Sequence, residues 1–225
     1  MVRSQARRLQ AVLFLSTGTA TMAAIAVATV NPLVAAGLIG AAAAGIPSAA
    51  ILAGQASSAY AWARITHVVG WRKGLTVGLV IGVLGMLLAS LGVLRGVMAA
   101  FLVGLFFAGV AYAVVTLSRF AAGEIVPVER RARSISIVVL GGTLGAVFGP
   151  LLVAPLARWA ASSLGSELTG PYVGGALLLG LSAIVVFVGL RPDPGQIDDR
   201  SGMGAESTAV FRPRRSLGCP CGTFA

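Results

Sequence analysis

From Leu9 to Ala63 the chain carries no Asp, Glu, Lys, Arg or His. A single membrane crossing takes about 20 apolar residues. The run is far too long for one crossing, so it holds two helices and a turn. Composition decides what surrounds them. Hydrophobic residues make up 57% of the chain and charged residues 11%, whereas a soluble domain carries about 25% charged residues. A water-soluble fold of this make-up would lack polar surface, so the class is an integral membrane protein. Asn31-Pro32 is the best turn signal in the run, because a proline disfavours helical backbone in the residue before it. That places helix 1 at about Ala11–Val30 and helix 2 at about Gly37–Ala63. A cleavable signal peptide ending at Ala26-Val27-Ala28 fits less well, since the apolar run is too long and a second one follows at once.

Polar islands divide the rest. Arg64, His67, Arg72 and Lys73 precede helix 3, about Leu75–Leu94. Arg95-Gly96 makes a tight turn into helix 4, about Val97–Ser118. The basic island Arg119–Arg133 leads into helix 5, about Ile135–Leu156. Arg158 and the stretch SSLGSELTG separate it from helix 6, about Pro171–Leu190, where Pro171 sits at a tolerated first-turn position. With the N-terminus in the cytoplasm, all of the 17 Lys and Arg except Arg95 and Arg158 fall on the cytoplasmic side. This positive-inside bias favours an even number of crossings and cytoplasmic termini. The expected organisation is a cytoplasmic N-terminus over 1–10, a six-helix transmembrane domain over 11–191 and a polar, disordered cytoplasmic tail over 192–225. The net charge of +10 is spread between the apolar spans rather than along one face, which argues for membrane topology and against nucleic acid.

Arg119–Pro155 joins a charged hinge to a glycine-lined helix. Gly141, Gly145 and Gly149 are spaced by four and share one face, where another backbone can approach closely; Gly142 adds to it, and Pro150 is expected to bend the helix. The stripe reads as helix packing, with a role in conformational change as the sharper alternative. Gln55 is the most polar residue deep in helix 2; it either lines a substrate cavity or hydrogen-bonds a neighbouring helix. Tyr112 and Thr116, one turn apart on helix 4, are candidates for the same cavity. Ser16, Thr17, Thr19 and Thr21 can satisfy themselves on the preceding turn of backbone. Arg72, Lys73, Arg130, Arg131 and Arg133 either make cytoplasmic contacts that hold one transport state or serve topology and lipid headgroups. Glu124 and Glu129 can pair with them locally.

No acidic or basic residue lies in the middle of any expected span, so an intramembrane proton relay has no candidate in this chain. Cys219 and Cys221, the two cysteines, do not fill a four-ligand metal site without a nearby His. Nothing resembles a phosphate loop, an activated nucleophile or a pair of catalytic carboxylates. No enzyme activity, metal or cofactor is expected.

Three stretches resemble the N-terminal half of a major facilitator superfamily transporter of actinobacterial type. Ala63–Lys73, ARITHVVGWRK, is similar to the signature loop between helices 2 and 3, roughly G-x-L-A-D-R-x-G-R-R. Gly70, Arg72 and Lys73 keep its end, while Ala63, His67 and Val68 replace its leading glycine, acidic residue and first basic residue. Arg119–Ser136 is similar to the helix 4–5 loop, with R-[YF]-A-A followed by P-x-E-R-R-A-R-[AS]. Gly145–Pro150, GAVFGP, is similar to the G-x-x-x-G-P element of helix 5 associated with proton-coupled exporters, though Val153 and Ala154 replace the glycine pair that follows it. LRPDP at Leu190–Pro194 resembles the start of the loop joining the two halves. The arginine expected in the middle of helix 4 of drug exporters is replaced around Leu105.

The resemblance implies an all-α membrane protein: six transmembrane helices, half of a major facilitator bundle with a 3+3 inverted repeat. It further implies a secondary transporter, or its N-terminal half, in the plasma membrane, moving a small organic molecule by alternating access, with proton-coupled efflux as one form. The implied partners are the lipid bilayer, an unidentified small-molecule substrate, and a missing C-terminal half or a second copy. After Pro194 no apolar span follows, which reads as a truncated or frameshifted frame. The alternatives are a non-transporting membrane scaffold that packs through its small-residue faces, and an inactive half-transporter that is made and degraded.

Overall fold

The computed structural model describes residues 2–124 and 131–189. They form six long helices: α1 Val2–Ile39, α2 Ile46–Val69, α3 Trp71–Arg95, α4 Met98–Glu124, α5 Arg131–Leu164 and α6 Gly170–Gly189. Single 3-10 turns at Ala41–Ala43 and Glu167–Thr169 sit in two of the connections. Five of the helices are long and apolar enough to cross a membrane. The exception is α2, which has the length, 24 residues, but is diluted by Pro47, Gln55, Ser57 and Ser58.

The first turn lies later than the sequence suggests. α1 runs through Asn31-Pro32 and ends at Ile39, and helix 2 starts at Ile46 instead of near Gly37. Asn31 is fully buried, and its Oδ1 accepts a hydrogen bond of 2.8 Å from the Tyr172 hydroxyl of α6. The pair Asn31-Pro32 is therefore a packing position, and neighbouring helices let a membrane helix tolerate the missing proline donor. The chain reverses at Gly40, whose φ of 114° suits glycine alone. α5 likewise continues through Pro150 and Pro155 to Leu164. The basic island after helix 4 is shorter than expected, because α4 continues to Glu124 and α5 begins at Arg131. Residues 192–225, expected as a tail, lie outside the described residues.

The tight turn at Arg95-Gly96 forms as expected. Gly96 takes φ 65°, its N–H reaches Val93 O, and the Val97 N–H reaches Gly92 O at 2.9 Å. Two carbonyls that α3 would leave open are satisfied this way.

α1 and α4 form the centre of the bundle. α1 packs chiefly on α5 and α6, α4 packs chiefly on α2 and α3, and α3 meets α6. Each three-helix set is thus folded through the other, the arrangement of an inverted repeat. The core is apolar, with Leu13 and Val27 of α1, Met86 of α3, Phe101 and Leu105 of α4, and Leu179 of α6 all fully buried. Large aliphatic side chains also cover the outside, among them Leu177 at 68% and Leu151 at 65% exposure. In water such a surface would be a liability; against hydrocarbon it is the expected one.

Close backbone contact holds the flanking helices. A Cβ on Gly145 of α5 would run into the Gly18 carbonyl of α1, and one on Gly141 would lie 2.6 Å from Phe14 O. On the other flank, a Cβ on Gly54 of α2 would run into Phe106 O of α4, and one on Gly109 would run into Ile51 O. Removing Cβ atoms lets the helices approach for van der Waals contact, which is what drives association where lipid is as apolar as leucine. Hydroxyl pairs reinforce α1. Ser182 donates to Ser16 O at 3.1 Å, which leaves Ser16 to donate to Ser182 Oγ at 2.7 Å. Thr17 meets Ser118 of α4 at 3.1 Å, and Gln10 Nε2 donates to Ser134 of α5 at 2.7 Å. Ser16 and Thr17 therefore bond across helices instead of to their own backbone; Thr19 does use its own, reaching Leu15 O at 3.0 Å.

Candidate functional site

α1, α2 and α4 enclose a depression of about 100 Å³. Its walls are Ala20, Thr21 and Ala24 of α1, Gln55 of α2, and Tyr112, Val115 and Thr116 of α4. The structure thus brings Gln55, Tyr112 and Thr116 together. The close crossing of α2 and α4 sets this geometry: Gly54, which packs on Phe106 O, directly precedes Gln55, and a Cβ on Gly109 would lie 3.0 Å from Gln55 N. With the two backbones touching, the amide of Gln55 and the ring of Tyr112 line the same space.

The hydrogen-bonding state of the lining is uneven. Thr116 donates to the Tyr112 carbonyl at 2.9 Å, back along its own helix. The Tyr112 hydroxyl is buried with no hydrogen-bond partner among the described residues. Leaving a buried hydroxyl unpaired costs about 1–3 kcal/mol. Tyr172 has the opposite situation. Its hydroxyl is bonded to Asn31, and its ring stacks edge-on against Phe101 with centroids 5.5 Å apart. Tyr172 is a structural tyrosine, whereas Tyr112 holds an unused donor beside a cavity.

The glycines of α5 are not among the walls of this space. Gly141, Gly142, Gly145 and Gly149 are buried against α1, and Pro150 is exposed. α5 does border the back of the site, since a Cβ on Gly142 would lie 3.4 Å from Thr21 Oγ1.

The cytoplasmic-loop candidates separate from one another. Gly70 precedes α3 with φ 92°. Arg72 turns to the end of α6: its Nε donates to Phe187 O at 2.8 Å, and its guanidinium stacks 4.4 Å from the Phe187 ring centroid. A cation there meets carbonyls that the last turn of α6 leaves open. Lys73, Arg131 and Arg133 are exposed. Arg130 and the side chain of Arg119 lie outside the described residues. Sequence reasoning passed over Thr21 as self-satisfied and over Gly54 and Gly109 altogether. One signal was available for the glycines, namely that Gly54 adjoins the polar Gln55.

A sequence model of the Major Facilitator Superfamily matches residues 13–220. The chain belongs to the major facilitator superfamily. Two relatives from Bacillus subtilis strain 168 are both described as uncharacterized MFS-type transporters. YdeG is 34% identical over 167 residues, covering 74% of this chain and 39% of the relative. YddS is 32% identical over 167 residues, covering 74% of this chain and 38% of the relative. This major facilitator chain therefore spans about two fifths of the length of the curated relatives it matches. Both relatives are described as transporters, and six long helices, five of them apolar enough to cross a membrane, accord with a multi-pass protein of that family.

Proposed function

We propose that the chain acts as a secondary transporter, or as the N-terminal half of one, moving a small organic molecule by alternating access, with proton-coupled efflux as the form whose carboxylate lies in the further half or at a helix end. The plasma membrane holds it, with both termini in the cytoplasm. A further six-helix half completes the cavity. The observation that carries this reading is the depression among α1, α2 and α4. There, four polar side chains from three helices, Thr21, Gln55, Tyr112 and Thr116, line one space. Polar groups gathered inside a membrane bundle mark substrate pathways. The G-x-x-x-G-P element of α5, Gly145–Pro150, supports efflux and coupling.

Water must reach such a site. In a chain with Cys219 and Cys221 replaced by Ser, a single Gln55→Cys is expected to react with a small membrane-impermeant maleimide in inverted vesicles or in intact cells. Leu177→Cys, on the outer surface, is expected to stay unlabelled. Equal protection of both positions from both sides would overturn the site. The transport reading itself is tested in cells, where expression should lower the steady-state accumulation of a fluorescent naphthylamine dye and a protonophore should cancel the difference.

A further inference from the structure

We infer that the depression among α1, α2 and α4 selects an uncharged molecule, one aromatic ring or its equal in size with an amide-like or hydroxyl group, and rejects organic cations and anions of the same shape. This rests on the reading of that depression as the substrate site.

Three observations carry it. First, the four polar side chains of the lining, Thr21, Gln55, Tyr112 and Thr116, are all neutral; the first three have both a donor and an acceptor, and Thr116, its proton given to the Tyr112 carbonyl, offers an acceptor. Such a set complements an amide or an alcohol. A cation would need carboxylates, and an anion would need a surplus of donors. Second, no counter-ion is within the span. α1 has no charged residue between Arg8 and its end at Ile39, and on α2 the first charge after Gln55 is Arg64. Nine residues of helix put Arg64 roughly 14 Å along the axis. On α4 the nearest charge is Arg119, one turn past Thr116 and just outside the apolar span Met98–Ser118. An ionic ligand would leave water for a pocket whose described lining offers no partner for its charge. Third, Tyr112 lines the depression, and its hydroxyl, closed off from solvent, has no partner among the described residues, so a ligand acceptor that reached it would satisfy a donor that the fold leaves open. Ala20, Ala24 and Val115 supply apolar walls for a ring.

Benzamide, benzoate and benzamidinium test this directly, having one shape and three charges at neutral pH. The full chain in lipid nanodiscs is mixed with each probe, and saturation-transfer NMR reads the bound fraction. Benzamide is expected to give a signal that falls about three-fold or more in Tyr112→Phe and in Gln55→Leu, the loss of one hydrogen bond within a membrane. It should stay unchanged in the outer-surface control Leu177→Ala. The charged probes are expected to give no signal that either variant alters. Should benzoate or benzamidinium bind with the same dependence on Tyr112 and Gln55, the depression would remain a binding site and the charge selectivity would be wrong; benzoate in particular would bring Arg119 into the site. Should no probe give a variant-sensitive signal, the site reading would fall, and this inference with it. Tyr112→Phe removes a single oxygen, so it decides the matter even if Gln55→Leu does not fold.

Discussion

Two tyrosines with buried hydroxyls should respond differently to the same change. Tyr172 gives its hydroxyl to Asn31, so Tyr172→Phe leaves a buried acceptor unpaired. The expected loss is about 1 kcal/mol, within the range for buried polar groups and close to the membrane average. In a double-mutant cycle Asn31→Leu should remove most of that penalty, because the stranded acceptor goes with it. Tyr112 has no partner among the described residues to lose. Tyr112→Phe should therefore be neutral or stabilising by up to about 1 kcal/mol, while weakening ligand binding. Thermal unfolding in detergent, followed by tryptophan fluorescence, compares the four variants. A destabilised Tyr112→Phe would mean that its hydroxyl has an internal partner after all.

Helix pairs set the next scale. The crossing of α1 and α5 depends on absent Cβ atoms, since one on Gly145 would meet the Gly18 carbonyl. Backbone cannot move aside as a flexible side chain can. Gly145→Ala should cost about 1–3 kcal/mol through forced separation of the helices. Gly37→Ala, on α1 with nothing within 4 Å of the added carbon, should be neutral or stabilising by roughly 0.5 kcal/mol through helix propensity. If both substitutions shift the melting temperature alike, the crossing is not what holds α5. At the end of the bundle where α3 begins, Arg72 ties α3 to α6 through Phe187. Arg72→Leu should speed amide exchange in the last turn of α6 with little effect elsewhere. Arg72→Lys should restore only part of the protection, because an ammonium does not reproduce the planar stack and directed N–H.

For the whole molecule, the decisive arrangement is the exchange of partners between the two three-helix sets, α1 on α5 and α6, α4 on α2 and α3. It puts the two glycine-mediated crossings on opposite flanks and leaves the depression between α1, α2 and α4. The same arrangement makes a topological prediction. Single cysteines at Arg72 and Arg131, in a background without Cys219 and Cys221, should both resist an impermeant thiol reagent in intact cells and both react in inverted vesicles. Labelling on opposite sides would remove the alternation of spans on which the proposed function depends.

What the sequence determined by itself follows from properties that add up locally. Apolar runs of membrane length, arginines gathered at alternate connections and glycines repeating every four residues identified the all-α membrane class, the six helices and the packing face of α5. The loop motifs around Gly70, Arg119 and Gly145 pointed to the family. Only the tertiary structure decided where the first turn falls and which polar groups meet. A proline ends a helix in water, where exposed backbone has solvent to turn to; inside a bundle its effect depends on neighbours, and Asn31 found one on α6. The separate fates of Ser16, Thr17 and Tyr112 have the same origin. Each polar side chain can bond its own turn, another helix or nothing, and the choice is made by the helix packed against it.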